Sequence, residues 1–178
     1  MIPRLATDCK GVDELLAGGI EQGTVTLVYG EAGSGKTSLA LQLSREAIKA
    51  SSNSVVLFVD TEGLSLERME QIFGDVDQDR LLLIRPSSLS DLHQTLTKKL
   101  EQHDKISLIV VDTINAYVRL SYVKNKERSE RQFLEMTSIL QPLAEKGDFP
   151  VFLSAQVYEK DGEIGPYFGR SLMPGSEI

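Results

Sequence analysis

Residues 24–37 read TVTLVYGEAGSGKT, an apolar run that leads into a glycine-rich loop and then into a helical pattern. The loop, residues 30–37, matches G-x-x-x-x-G-K-[ST] at every fixed position. A strand, a phosphate-binding loop and a helix in this order form the unit that the motif requires. This context predicts a phosphate site rather than a plain glycine-rich turn. A dinucleotide loop is disfavoured, because no G-x-G-x-x-G closes this turn.

The residue types in this loop suit a nucleoside triphosphate with Mg²⁺. Glycines let successive backbone N–H groups point inward, and the following helix adds the positive end of its dipole. Lys36 supplies a cation for the β- and γ-phosphates, and Thr37 supplies a hydroxyl ligand for Mg²⁺. The predicted phosphate-binding residues are Gly30, Glu31, Ala32, Gly33, Ser34, Gly35, Lys36, Thr37 and, at an inner phosphate, Ser38.

Outward from the loop, apolar runs alternate with segments of helical period. Strands are predicted at 24–29, 54–60, 81–85, 106–112 and 150–155, and helices at 37–50, 66–73, 90–102 and 129–146. Ser90 is the predicted N-cap of the third helix, and Gly147 the predicted C-cap of the fourth. The strands show little alternation, as expected of strands covered on both faces. The pattern predicts an α/β fold, a mainly parallel central sheet with helices on both faces and ligands at the carboxyl ends of its strands.

Three of these strands end in polar residues. Asp112 ends an apolar strand and is predicted to hold Mg²⁺ as a Walker B acid, with a helix cap as the alternative. Asp60 and Glu62 follow an earlier strand; Glu62 is assigned to the attacking water, unless both acids only cap the helix at 66–73. Gln156 follows the last strand, as a γ-phosphate sensor or a simple exposed amide.

Length and composition restrict the class of protein. The 178 residues, 41% of them hydrophobic, predict one folded domain over residues 1–178. The net charge of −7 argues against a dedicated nucleic-acid coat. The single cysteine, Cys9, allows no internal disulfide and no four-thiolate zinc site. No membrane-spanning run or signal peptide is evident, which predicts a cytoplasmic protein.

Five segments together resemble the RecA/RadA recombinase superfamily. They read KGVDELLAGGI at 10–20, GEAGSGKT at 30–37, DTEG at 60–63, IVVDTI at 109–114 and AQV at 155–157. Within the superfamily the chain is most similar to the archaeal RadB branch, which consists of the core domain alone. The resemblance implies a RecA-like P-loop NTPase with ATP and Mg²⁺ as cofactors and weak, DNA-dependent hydrolysis. It also implies weak association with single- or double-stranded DNA, and a role in homologous recombination and DNA repair.

The resemblance also assigns roles to individual residues. Lys36 and Thr37 match the phosphate and Mg²⁺ residues, Glu62 the water-activating glutamate, Asp112 the Walker B acid and Gln156 the γ-phosphate sensor. The implied catalytic residues are therefore Glu62, Lys36 and Gln156, and the metal residues are Thr37 and Asp112. Arg68 matches an arginine near the adenine, although the segment between Glu62 and Arg68 is one residue shorter than in most relatives. Ala155 stands where relatives usually have asparagine.

The segments after Asp112 and Gln156 match two DNA-facing loops whose order is linked to ATP. Glycines and prolines in 156–178 predict no strand or long helix there, but a mobile loop or tail. The chain is expected to lack the C-terminal strands of the family and to expose a sheet edge.

A basic run provides the candidate DNA contacts, which are Arg119, Lys124, Lys126, Arg128 and Arg131. With Tyr117 and Tyr122 close by, the run suits a single-strand groove. The alternative is a solvated helix start with glutamate–arginine pairs.

Two other functions stay open on the sequence alone. One is a nucleotide-dependent mediator that binds a recombinase or nuclease and hydrolyses little ATP, because an acidic surface suits a basic protein partner. The other is a small-molecule kinase, which needs an arginine-rich lid. The tail carries one arginine, Arg170, so this alternative is weaker.

Overall fold

The computed structural model describes residues 3–102, 105–116, 126–160 and 163–166. A small antiparallel pair, β1 (Arg4–Leu5) and β2 (Ile20–Glu21), flanks helix α1 (Lys10–Leu15). The main strands are β3 (Val25–Gly30), β4 (Val55–Asp60), β5 (Leu81–Ile84), β6 (Ile106–Asp112), β7 (Val151–Lys160) and β8 (Glu163–Pro166). The larger helices are α2 (Lys36–Ala50), α3 (Leu66–Phe73), α4 (Leu89–Gln102) and α5 (Lys126–Gly147), with a 3₁₀ turn at Gln78–Arg80.

Strands β3 to β7 form a parallel sheet in the order β3-β7-β6-β4-β5. The crossovers between them contain helices, as parallel neighbours require. This arrangement confirms the predicted α/β class and brings the carboxyl ends of β3, β4 and β6 to one edge, with Gln156 of β7 opposite Gly30 there.

Two apolar clusters cover the two faces of the sheet. Along β6, Leu108 and Val110 belong to one cluster, and Ile109 and Val111 to the other. Helices α2 and α3 contribute to the first cluster, through Leu41 and Phe73 for example, and α4 and α5 contribute to the second. Because both faces are buried, these strands are apolar throughout instead of alternating.

The prediction that residues 156–178 form no strand is wrong for 156–160 and 163–166. Strand β7 continues to Lys160, and its second half pairs with β8 in antiparallel register, from Val157 opposite Pro166 to Lys160 opposite Glu163. Pairing with a neighbouring strand overrides the local glycine and proline signals, and an edge strand tolerates a residue without an N–H donor. Residues 161–162 and 167–178 lie outside the described residues.

Two predicted helix caps are also corrected. Helix α4 begins at Leu89, and Ser88 is its N-cap, because the Ser88 hydroxyl accepts from the Asp91 N–H at 3.2 Å. The N–H and hydroxyl of Ser87 donate to Asp91 in return and lower the pKa of its carboxyl. Gly147 is the last residue of α5, where a Cβ would overlap the Phe149 ring, and Asp148 takes the positive φ of 50°.

No helix among the described residues is both long and apolar enough to cross a membrane.

Candidate functional site

The loop between β3 and α2 forms one wall of a cavity of about 270 Å³. Gly33 and Gly35 have φ values of 78° and 90°, which L side chains rarely adopt, so the curl of the loop requires glycine at both positions. Residues just after β4 and β6, and one residue within β7, supply the rest of the lining. The lining residues are Ala32, Gly33, Gly35, Lys36, Thr37, Ser38, Glu62, Thr113 and Gln156.

Lys36 is 8% exposed, and its ammonium lies across the loop. Its Nζ donates to the carbonyl oxygens of Gly30 at 2.9 Å and Glu31 at 2.6 Å, and to the Ser34 hydroxyl at 3.3 Å. The charge is therefore held at the cavity wall by neutral oxygen atoms rather than by a carboxylate. A cation paired in this way keeps its net charge for an anionic ligand.

Asp112 contacts the site through Thr37, which lines the cavity, while Asp112 itself is not one of the lining residues. The Thr37 hydroxyl donates to Oδ2 of Asp112 at 2.7 Å, and the hydroxyl of buried Ser154 in β7 donates to Oδ1. Asp112 is 6% exposed and has no cationic partner among the described residues. A buried carboxylate that receives only hydroxyl hydrogen bonds favours a bound cation, because burial of an uncompensated charge is costly.

Asp60 is part of a turn that carries Glu62. Its two carboxylate oxygens accept from the backbone N–H groups of Gly63 and Leu64, each at 2.8 Å, and Arg85 donates to Oδ2 at 2.9 Å. The N-cap of α3 is Ser65, whose hydroxyl accepts from the N–H of Arg68. Asp60 thus shapes the turn between β4 and α3 rather than capping the helix.

Glu62 and Gln156 meet across the cavity. The Gln156 amide donates to both carboxylate oxygens of Glu62, at 3.0 and 2.9 Å. Buried Asn115 fixes the Gln156 backbone, because its amide donates to the Gln156 carbonyl at 2.9 Å. Two residues that lie 94 positions apart in the sequence are thereby held as one polar pair beside the phosphate loop.

Arg68 lies near the first turn of α2 instead of in the cavity. Its Nε and one terminal nitrogen donate to the Ser38 hydroxyl at 3.3 and 3.2 Å. The contact connects α3 to the last predicted residue of the phosphate loop, and leaves the adenine role of Arg68 a prediction.

The basic run is only partly described. Arg119 and Lys124 lie outside the described residues, and Lys126, Arg128 and Arg131 fall in the first turns of α5. Arg131 is exposed. Contact of these residues with DNA stays a prediction.

Several polar residues of the site escaped the sequence-based prediction. Thr61 accepts from the Thr113 N–H at 2.7 Å and donates to the Thr113 carbonyl at 2.9 Å, which ties β4 to β6. Ser154, Asn115 and Arg85 have comparable supporting contacts. Ser154 carried a signal, since a serine inside the apolar run VFLSA is buried and needs a hydrogen-bond partner.

Taken together, the parallel sheet, the loop between β3 and α2 and the acidic strand ends define an α/β protein of the RecA-like P-loop class. The Rad51 family model matches residues 1–173, and the chain belongs to the Rad51 family. This result confirms the resemblance to the RecA/RadA superfamily.

Three relatives illustrate how far the similarity extends. A DNA repair and recombination protein RadB from Methanococcoides burtonii is 37% identical over an alignment of 179 positions, gaps included, that covers 95% of this chain and 78% of that protein. The protein of the same name from Thermoplasma acidophilum is 32% identical, covering 94% of this chain and 74% of its own. The one from Archaeoglobus fulgidus is 32% identical, covering 98% and 80%.

Proposed function

We propose that this chain acts in homologous recombination and DNA repair as a RecA-type protein that binds and hydrolyses Mg-ATP in the described cavity. Membership of the Rad51 family supports this role, and the similar RadB proteins are named for DNA repair and recombination. The single observation that carries the nucleotide site is the 2.7 Å hydrogen bond between Thr37 and Asp112. It joins the phosphate loop to a strand-end carboxylate 75 residues away.

The donor set fits Mg²⁺ and a triphosphate. Mg²⁺ prefers oxygen ligands and is bound through one or two protein groups together with substrate phosphates. The Thr37 hydroxyl and the Asp112 carboxylate that it contacts are such groups. Thr37 lines the cavity, and so does Thr113, whose buried hydroxyl has no partner among the described residues. When bound, Mg²⁺ would neutralise phosphate charge and orient the terminal phosphoryl group.

Other residues of the site would bind the phosphates and activate the attacking water. Lys36 and the N-terminal amides of α2 would bind phosphate oxygens, as dipole and charge both favour anions there. Glu62 would accept a proton from the attacking water. The Gln156 amide orients the Glu62 carboxylate, and because a carboxylate oxygen can accept more than one hydrogen bond, this contact is compatible with that role.

The interaction with DNA is part of the proposal. Arg119, Lys124, Lys126, Arg128 and Arg131 are the proposed contacts, with ATP-linked ordering of the segments that follow Asp112 and Gln156. The net charge of −7 limits non-specific affinity, so binding to single- or double-stranded DNA should be weak and should fall steeply with salt.

The same charge favours one second candidate, a mediator that binds a basic recombinase or nuclease and hydrolyses little ATP. Turnover of ATP with and without single-stranded DNA separates the two functions. Turnover that rises with DNA supports the ATPase. Nucleotide binding without turnover, together with retention of a basic recombinase on the immobilised chain, supports the mediator.

The nucleotide site itself is tested by thermal unfolding with Mg-ATP. At 100 times the dissociation constant, a ligand stabilises the fold by about 2.7 kcal/mol. We expect Lys36→Ala to lose most of this shift. Lys49→Ala is the matched control, because Lys49 lies at the far end of the same helix and pairs with Glu46. An unchanged shift in Lys36→Ala would contradict the assignment.

A further inference from the structure

The hydroxyl of Thr113 is the one buried side-chain polar group of the cavity without a hydrogen bond among the described residues. Thr113 is 2% exposed and lines the cavity, and its Oγ1 has no hydrogen-bond partner among the described residues. Its backbone is satisfied, because the N–H donates to Thr61 and the carbonyl accepts from Thr61. Burial of a hydroxyl without a partner destabilises a fold, so a hydroxyl retained in this position points to a ligand that supplies the partner.

The position of Thr113 indicates which part of a nucleotide it would meet. Gly33, Gly35, Lys36 and Thr37 of the loop form one wall of the cavity, where backbone N–H groups would gather around the inner phosphates. Thr113 and Glu62, just after the ends of β6 and β4, and Gln156, within β7, reach the cavity from the sheet instead. Groups that come from the sheet would face the outer end of a triphosphate held by the loop.

We propose that the Thr113 hydroxyl binds the terminal phosphate of the nucleoside triphosphate, directly or through one bound water. It is then a specificity residue that distinguishes the triphosphate from the diphosphate. This inference rests on the proposed nucleotide site and adds to it a residue that the motifs do not assign.

The replacement Thr113→Val keeps the shape of the side chain and removes the hydroxyl. Because the hydroxyl has no partner in the described structure, the melting temperature without nucleotide should stay the same or rise. Affinity for a Mg²⁺-bound, non-hydrolysable ATP analogue should fall by about tenfold to a hundredfold, the usual effect of a lost hydrogen bond to a charged group. Affinity for Mg-ADP should not change, and Thr113→Ser should restore the affinity for the analogue.

Thr7→Val is the matched control. Thr7 is also fully buried, but its hydroxyl accepts from the Cys9 N–H at 3.1 Å and donates to the Cys9 carbonyl. Its replacement should lower the melting temperature and leave both nucleotide affinities unchanged. The two threonines therefore predict opposite results from the same substitution.

The measurements are thermal unfolding and titration calorimetry on wild type, Thr113→Val, Thr113→Ser and Thr7→Val. A lower melting temperature of Thr113→Val without nucleotide would show a structural hydroxyl and overturn the inference. Equal loss of ADP and analogue affinity, or no loss of either, would also overturn it while the proposed site stands. Failure of the wild type to bind either nucleotide would instead overturn the proposed function, and this inference with it.

Discussion

Asp60 and Asp112 are register partners at the ends of adjacent strands, yet their surroundings differ. Both are buried, at 5% and 6% exposure. Asp60 accepts from two backbone N–H groups and from the Arg85 guanidinium, so its charge is paired. Asp112 accepts from the hydroxyls of Thr37 and Ser154, which supply no compensating charge.

The difference shows how one sequence pattern can serve two purposes. An apolar strand that ends in aspartate describes both residues equally well. A neighbouring arginine and a tight turn make Asp60 part of the structural support of Glu62. Hydroxyls from a phosphate loop and a buried strand leave Asp112 with a charge that a divalent cation can complete.

The largest effect, on ATP turnover, is expected at Glu62. This residue lies in the turn that Asp60 shapes. Glu62→Gln should keep nucleotide binding and lower turnover by about 10²–10⁴-fold, a typical loss for a general base. Steady-state hydrolysis and calorimetry with Mg-ATP measure the two quantities. Glu67→Gln on the exposed side of α3 is the control and should change neither. Loss of binding together with turnover would assign Glu62 a structural role instead.

Asp60→Asn should mainly destabilise the fold. An asparagine presents an amide donor to at least one of the N–H groups of Gly63 and Leu64 or to Arg85, so a buried donor loses its acceptor. The expected loss is about 3 kcal/mol in the free energy of unfolding, measured with urea. For a domain of this size the melting temperature should fall by roughly 6–12 °C. A change below about 1 kcal/mol would contradict the supporting role of Asp60.

Asp112→Asn should weaken nucleotide binding more than it destabilises the fold, the reverse of what is expected for Asp60→Asn. A hydroxyl can turn to accept as well as donate, so Thr37 and Ser154 can rearrange around an amide, and the fold should lose less than about 1 kcal/mol. The additional stabilisation that Mg²⁺ gives to nucleotide binding should disappear, which corresponds to about a tenfold loss of affinity, or ~1.4 kcal/mol. Titration with and without Mg²⁺ measures it. Unfolding as severe as in Asp60→Asn would remove the distinction between the two acids.

Much of the fold and of the site could be predicted from local sequence patterns, because these features depend mainly on residues that are close together in the sequence. The phosphate loop needs glycines within a few residues of a lysine, and Asp112 follows directly from its own strand. The support of the site depends on distant pairs that no local pattern contains. The Ser154 hydroxyl bonds a carboxylate 42 residues away, and the Gln156 amide bonds a carboxylate 94 residues away. Strand β8 was missed for the same reason, since its pairing with β7 outweighs its local composition.

The smallest effect is expected at Arg85. Its replacement separates the contribution of the ion pair to holding Asp60 from that of the two backbone N–H groups. The Arg85 side chain is 57% exposed, so solvent screens its attraction to Asp60. Arg85→Met should cost about 0.5–1 kcal/mol, less than Asp60→Asn, and Arg85→Lys should cost less still because the positive charge remains.

A double-mutant cycle between Arg85→Met and Asp60→Asn measures the coupling directly in urea unfolding, at low and high salt. A coupling below about 1 kcal/mol that shrinks with salt would mean that the two backbone N–H groups hold most of the turn. A coupling near the full cost of Asp60→Asn would mean that the ion pair holds it. The carboxylates of Asp60 and Asp112 would then differ chiefly in possessing or lacking a guanidinium partner, and hydrogen bonding from Gly63 and Leu64 would be secondary.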